Sequence, residues 1–261
     1  LYKPLHICFT TKRAILFTMQ RTYLQTFNHK KALVTGHTGF KGSWLSAWLH
    51  LLGVDVYGIS LEYSPSCPSH FDVTELSEIV EDQRVDIRNS NELTECVNDI
   101  KPDFVFHLAA QALVRESYND PVATYHTNVL GTLNLLEGLR SLEKPCTAVL
   151  ITSDKCYDNV EWVWGYRESD ALGGPDPYSA SKGAAELVIR SHIKSFFPQD
   201  GKIRIAVGRA GNVIGGGDWA QDRIVPDCVR FWANEETVQL RNPKATRPWQ
   251  HVMEPLSGYL A

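Results

Sequence analysis

An α/β fold, a parallel sheet doubly wound with helices on both faces, is predicted for this sequence by three observations. Short apolar runs of strand length recur along the chain. Amphipathic stretches of helical length separate them, so the hydrophobic period switches repeatedly between the two spacings. A glycine triplet stands between the first apolar run and the first helix. Strands joined by helical crossovers pair in parallel, and a parallel sheet is buried on both faces. Ligands bind such a sheet at the carboxyl ends of its strands, beside the topological switch point. Chemistry is therefore expected just after Thr35, Ile59, Leu108, Thr152 and Gly208.

KALVT (31–35) is the first predicted strand, apolar through its centre as burial on both sides demands. Over 41–52, Trp44, Leu45, Trp48, Leu49 and Leu52 fall on one helical face. A strand at 55–59, an irregular Pro- and Ser-rich stretch at 63–70 and a strand before Asp86 follow. The next helix is expected to be capped by Ser90 or Asn91 and to run to about Ile100. FVFHL (104–108), AVLIT (148–152) and IRIAVG (203–208) are further buried strands, with helices at about 121–140 and 178–197 in the gaps. Beyond Gly208 the alternation fades into a Gly-rich loop, a helix near 223–235 and a basic, Pro-bearing loop. The sheet domain is thus expected over 31–208, with a second, smaller region starting at 209–261. Residues 1–30 are expected to be an extension outside the fold, with Met19 as the start of the chain proper.

Composition narrows the partners. Of 261 residues, 43% are hydrophobic and 21% charged, which suits a soluble globular protein. The net charge is −4 and there is no block of basic residues, so neither nucleic acid nor an anionic membrane is expected as partner. An anionic ligand would have to be held by local arginines. No apolar run approaches the ~20 residues of a membrane span. None of the six cysteines forms a C-x-x-C pair, and Cys67 with His70 is read as loop chemistry, so no metal is expected. Reduced thiols and a cytoplasmic location are the matching expectation.

VTGHTGFKG places Gly36, Gly39 and Gly42 between strand and helix, with Thr38 and Phe40 among them. The turn needs glycine torsions, a pyrophosphate needs close backbone approach, and the helix N-terminus offers free N–H groups. In this context the triplet predicts a Rossmann-type dinucleotide site. No acidic residue closes the second strand: Ile59 is followed by Ser60 and Leu61, with Glu62 beyond. The absence of a nearby Arg or Lys points to NAD over NADP.

Tyr178 and Lys182, in YSASK, stand four apart at the start of a helix and so share a face. A neighbouring cation favours the phenolate and makes Tyr178 a base. After AVLIT come Thr152, Ser153, Asp154, Lys155 and Tyr157. A hydroxyl, a carboxyl and an amine at a strand's carboxyl end imply proton transfers beyond those of a simple reductase.

The G-x-x-G-x-x-G spacing and Tyr-x-x-x-Lys, with HLAAQALVR, GNVIGGGDW and RPWQHV, resemble the extended short-chain dehydrogenase/reductase family from about Lys31 onward. Within it the chain is similar to the nucleotide-sugar 4,6-dehydratases. Most of those carry Thr-Asp-Glu where this chain has Ser153-Asp154-Lys155, which narrows the resemblance to the branch acting on CDP-glucose. The resemblance implies bound NAD and a homo-oligomer, dimer or tetramer. It implies that Tyr178 deprotonates the sugar 4-hydroxyl, with Lys182 lowering its pKa and holding the cofactor ribose. Ser153 would orient that hydroxyl, Asp154 protonate the departing 6-hydroxyl, and Lys155 take the C5 proton. Asp86 and Ile87 would contact the adenine, and Leu108, Ala109, Ala110 and Gln111 the nicotinamide-side ribose and pyrophosphate. Asn212, Trp219, Arg223 and Arg247 would bind the substrate, the arginines gripping its diphosphate. Asn128 is expected to brace the site from within its helix. Family members continue beyond Ala261, so the substrate-binding region is expected to be incomplete. The alternatives are another nucleotide-sugar dehydratase or a 4-epimerase, which has no need of the Asp154–Lys155 pair, and a non-catalytic nucleotide-binding protein.

Overall fold

The computed structural model describes residues 25–61, 67–240 and 242–261. Residues 1–24, Glu62, the first half of the irregular stretch expected at 63–70 and Arg241 lie outside the described residues. At the centre is an all-parallel sheet of β1 (Lys31–Thr35), β2 (Asp55–Ser60), β3 (Glu81–Arg84), β4 (Phe104–His107), β5 (Cys146–Ile151) and β6 (Ile203–Gly208). Its order is β3-β2-β1-β4-β5-β6. The order reverses between β1 and β4, so the crevice of a doubly wound sheet opens there. The register pairs Thr35 with Ile59 on one side and His107 on the other, and all three strand ends line one rim.

The α-helices described in full are α1 (Phe40–Leu51), α2 (His70–Val73), α3 (Ser90–Ile100), α4 (Val114–Asn119), α5 (Pro121–Tyr125), α6 (Gly131–Ser141), α7 (Pro177–Phe196), α8 (Ile224–Ala233) and α9 (Met253–Leu260). Alternate strand residues feed opposite faces. Leu33, Val105, Ala148 and Leu150 join Leu93 and Val97 of α3, Leu135 and Leu139 of α6, and Ile189 of α7. Ala32, Val34, Val56 and Phe106 join Leu45 and Leu49 of α1 with Leu256, Tyr259 and Leu260 of α9. Part of the 209–261 segment is thereby built into the core of the sheet. A two-stranded parallel ribbon, β7 (Asn212–Ile214) with β8 (Trp249–His251), lies between.

The sequence reading needs four adjustments. Phe27 is 3% exposed and its ring lies 4.7 Å from that of Phe104, so packing begins ahead of the boundary expected at Lys31. The cap of α3 is Asn89, whose side chain accepts from Glu92 N, rather than Ser90 or Asn91. The rod expected over 121–140 contains a π-helical turn at His126–Leu130 between α5 and α6. Trp44 packs on the core only from its edge, half-buried; its ring also stacks on His70 at 4.6 Å and donates to the Gly216 carbonyl at 2.9 Å.

Candidate active site

The glycine loop leaves β1 at the switch point. Gly36 has φ +72°, and a side chain there would meet the Ala109 backbone at 2.8 Å. The loop after β1 and the loop after β4 therefore touch backbone to backbone, which explains both the glycine and the small Ala109 opposite. Gly42 packs equally closely on the Gly36 carbonyl, drawing the first turn of α1 under the loop. Helix α1 starts at Gly39 with no side-chain cap and no acidic residue in its first turn. Its free N–H groups and positive dipole end suit a pyrophosphate. Thr38 is buried and donates to Ser60 Oγ at 3.0 Å, while Phe40 packs towards Gly215.

At the end of β2 the structure adds a residue absent from the sequence reading. Parallel pairing sets Ser60 beside Arg84, whose Nη1 donates to Ser60 Oγ at 2.9 Å. The basic group that the local sequence lacks is thus supplied by β3. Its charge is met by Asp82 at 2.7 Å, so Arg84 is not an uncompensated cation awaiting a 2′-phosphate. Asp82 also bonds His37, a buried imidazole whose pKa burial depresses. Asp86 is gripped by Arg88 at 2.6 Å, which holds its carboxyl below the usual range. Ile87 is 5% exposed with its side chain in the core against Gly131, and its carbonyl accepts from Asn134 Nδ2 at 2.9 Å.

The loop after β4 is fastened from two sides. Leu108 N–H donates to the Thr35 carbonyl and Ala109 N–H to Thr35 Oγ1, both at 3.1 Å. Thr35 Oγ1 lies 2.7 Å from His107 Nδ1, and His107 Nε2 lies 3.1 Å from Thr132 Oγ1. Because the threonine hydroxyls have other partners, His107 is the neutral Nε2–H tautomer. Burial, then the Lys182 charge, pushes its pKa down to about 3. Asn128, at the π-turn, accepts from Gln111 N–H at 2.8 Å and donates to the Gln111 carbonyl at 3.0 Å and Ser181 Oγ at 2.9 Å. It braces the loop against α7 as expected, while Ala110 is half-buried beside it.

Helix α7 begins with Asp176 as cap, accepting from Ser179 N–H at 2.9 Å, and Pro177 in the first turn. That start sets Tyr178 and Lys182 on one face, 8% and 7% exposed. The Ser153 hydroxyl is within hydrogen-bonding reach of the Tyr178 phenol. Burial raises the phenol pKa; the Ser153 bond and then the Arg223 charge act against it. Among the charges acting on the phenol, Arg223 is the one that lowers its pKa most. Lys182 is itself lowered to about 8 by burial and then by Lys41. Ser153 Oγ lies 3.0 Å from Asp154 Oδ1 and accepts from Lys155 N–H at 3.2 Å, so the Asp154–Cys156 turn folds around that hydroxyl. Asp154 and Lys155 are half-buried.

On the substrate side, Arg223 sits 3.4 Å from the half-buried Asp218 and joins the electrostatic neighbourhood of Tyr178 and Lys41. Trp219 gives its carbonyl to Arg230, whose guanidinium lies 5.8 Å from the indole centroid. Asn212 opens β7, bonded through its N–H to the Pro248 carbonyl at 3.1 Å. Arg247 is exposed and donates to the adjoining Thr246 carbonyl, so it is not drawn into this group. Lys41, from the first turn of α1, was not singled out by sequence. Burial, then Arg223, lowers its pKa to about 8, with Asp154 and Asp218 opposing. Its position inside the glycine motif was visible; its facing the catalytic turn was not.

Among the described residues no group of three or more His, Cys, Asp or Glu is placed to hold a metal ion, and no helix is long and apolar enough to cross a membrane.

Residues 33–260 match the family model described as GDP-mannose 4,6 dehydratase. CDP-glucose 4,6-dehydratase of Salmonella typhimurium is 53% identical over 88% of this chain, which spans 65% of that relative's length. An epimerase structure from Methanothermobacter thermautotrophicus superposes with a TM-score of 0.80 at 24% identity, covering 94% of this chain and 70% of its own. A double mutant of dTDP-glucose 4,6-dehydratase from Streptomyces venezuelae, solved with NAD bound, gives 0.74 at 23% identity, covering 88% and 70%. The two structures share the fold of this chain.

Proposed function

The chain belongs to the GDP-mannose 4,6 dehydratase family, and from that premise we propose that it is a nucleotide-sugar 4,6-dehydratase converting CDP-glucose to CDP-4-dehydro-6-deoxyglucose and water. One observation carries the reading: the Ser153 hydroxyl lies between the Tyr178 phenol and the Asp154 carboxyl, at the carboxyl end of a central strand. The 53% identity to the Salmonella enzyme favours CDP-glucose over the other nucleotide sugars. A soluble, cytoplasmic homo-oligomer belongs to the same proposal.

The dinucleotide NAD fits the residues present. Gly36 and Ala109 leave a cradle that a side chain would fill, the uncapped N-terminus of α1 would hold the pyrophosphate, and Asp86, Gln111, Tyr178 and Lys182 would hold the rest of the dinucleotide. When bound, NAD supplies a hydride acceptor at C4 of the sugar that gives the hydride back at C6.

The side chains manage the protons. Tyr178 takes the proton of the 4-hydroxyl, oriented by Ser153, as the C4–H bond breaks. The resulting ketone acidifies C5, and Lys155 removes the C5 proton. Asp154 gives its proton to the 6-hydroxyl, which leaves as water. Lys155 returns a proton to C5 when the hydride reaches C6, which restores it; Tyr178 is left protonated and Asp154 ionised, and passage of that one proton from Tyr178 to Asp154, through the Ser153 hydroxyl or solvent, resets both. Arg223 and Asn212 hold the diphosphate, and Trp219 packs beside it.

With CDP-glucose deuterated at C4, product should carry deuterium at C6 and solvent hydrogen at C5. Scrambling at C4 without loss of water would identify an epimerase. Tyr178→Phe should lower turnover about 10²–10⁴-fold while leaving cofactor binding in place.

A further inference from the structure

The segment Thr152–Tyr157 carries the acid and base of the elimination; backbone bonds tie it to Gly208, Ala210 and Gly173, and one ion pair bonds the side chains at both of its ends. Glu186 lies on α7 two turns beyond Tyr178 and is 4% exposed. Its carboxylate accepts from Thr152 Oγ1 at 2.5 Å and from Arg209 Nε and Nη2, each at 2.8 Å. Arg209, just past β6, donates from Nη1 to Tyr157 Oη at 2.8 Å, with its guanidinium 4.8 Å from the Tyr157 ring centroid. Thr152 is the residue before Ser153, and Tyr157 closes the Asp154–Cys156 turn. Burial pushes the Glu186 carboxyl up, but the bonds from Arg209 and Thr152 outweigh it and keep it ionised. A cavity of about 390 Å³, lined by Asp154, Tyr157, Glu168, Val207 and Arg209, runs beside the segment, so side-chain packing does not fix it on that flank.

We propose that Glu186 and Arg209 are positioning residues for the elimination, clamping Thr152–Tyr157 so that Asp154 and Lys155 meet a sugar held at Tyr178. The inference rests on the dehydratase reading above. Breaking a buried pair leaves an uncompensated charge, and the segment it held moves to relieve it. A displacement of about 1 Å in a reacting group costs on the order of 10²-fold. Tyr178 and Lys182 keep their places through α7 itself, so oxidation at C4 is spared and elimination is not.

The experiment mixes the NAD-loaded chain with CDP-glucose and follows the absorbance of the reduced cofactor beside product release. Glu186→Gln should accumulate reduced cofactor and slow product release about 10²-fold, with the first oxidation within about threefold of wild type. Tyr157→Phe, which deletes one hydroxyl, should shift the same ratio in the same direction by less, and it decides the matter if Glu186→Gln does not fold. Equal loss of oxidation and product release, or unchanged product release, would overturn the inference. A wild-type chain inactive on CDP-, dTDP- and GDP-glucose would instead overturn the dehydratase reading, and the inference with it.

Discussion

Asn128→Ala is the sharpest test of how the site is braced. Asn128 is 1% exposed and its amide makes hydrogen bonds of 2.8, 3.0 and 2.9 Å to Gln111 N–H, the Gln111 carbonyl and Ser181 Oγ. Truncation leaves the Gln111 peptide and the Ser181 hydroxyl each short of a partner. An orphaned buried group costs about 1–3 kcal/mol, and the half-buried Gln111 falls at the lower end, so the sum is about 3 kcal/mol. At about 2–4 °C per kcal/mol for a chain near this size, the midpoint of thermal unfolding should fall by about 6–12 °C. Asn128→Asp separates donors from acceptor. It keeps the acceptor for Gln111 N–H but turns both donated bonds into contacts between oxygens. A carboxyl in that buried place has its folded pKa raised above the unfolded value. Its protonated form, able to donate, is present at low pH and lost as pH rises through that raised pKa. The deficit of Asn128→Asp against wild type should therefore be smaller at pH 5 than at pH 7.5. An alanine variant melting within about 2 °C of wild type, or an aspartate variant with the same deficit at both pH values, refutes the reasoning.

Phe27→Ala should cost about 3–5 kcal/mol in urea unfolding, because the ring is buried against Phe104; a loss under about 0.5 kcal/mol would put residues 25–30 outside the cooperative unit. Gly42→Ala forces a methyl against the Gly36 carbonyl carbon and His37 Cα at 2.8 Å. It should weaken NADH binding, read by fluorescence titration, and destabilise the chain by about 1–3 kcal/mol. His107 is buried neutral with its pKa near 3, so the unfolded chain binds a proton below pH ~6.5 that the folded chain does not. Its contribution is complete above that pH and is lost at up to about 1.4 kcal/mol per pH unit as pH falls towards 3. Asn in place of His107 should flatten the stability profile between pH 7 and 5, and an unchanged slope would exclude His107 as the source.

The strands that could be read from sequence are those buried on both faces, because only they must be apolar end to end. β3, with the sequence EDQR, lies at the edge of the sheet and is mostly exposed, so no apolar run marks it; it was placed only as a strand before Asp86. The glycine loop and Tyr178 with Lys182 were legible because their chemistry is local, a turn and a helical repeat. What stayed hidden joins distant positions. Arg84 reaches Ser60 through the β2–β3 register, and Arg209 reaches Glu186 from the end of β6. Pairwise contacts of this kind leave no period in a single sequence. The π-turn at His126–Leu130 is hidden for another reason: its torsions stay near helical values, and only the shifted hydrogen bonding turns Asn128 inward.

The crevice also shows why a net charge of −4 said little about the ligand. Charges more than about 8 Å apart are largely screened at physiological salt, so an anion at the strand ends responds to what faces it there. Lys41 feels the Arg223 charge and Lys182 that of Lys41, with Asp154 and Asp218 opposing at Lys41. Burial and like charge lower both lysines to about 8. The same terms that make these ammonium groups costly in the free chain make them strong partners for phosphate oxygens, since attraction grows as water is excluded. A diphosphate drawn in beside them favours the charged forms and so raises their pKa values, opposite to the effect of burial alone. The basic character that composition denied is therefore concentrated in one crevice, built from a glycine-loop lysine, a helix lysine and a loop arginine that no stretch of sequence brings together.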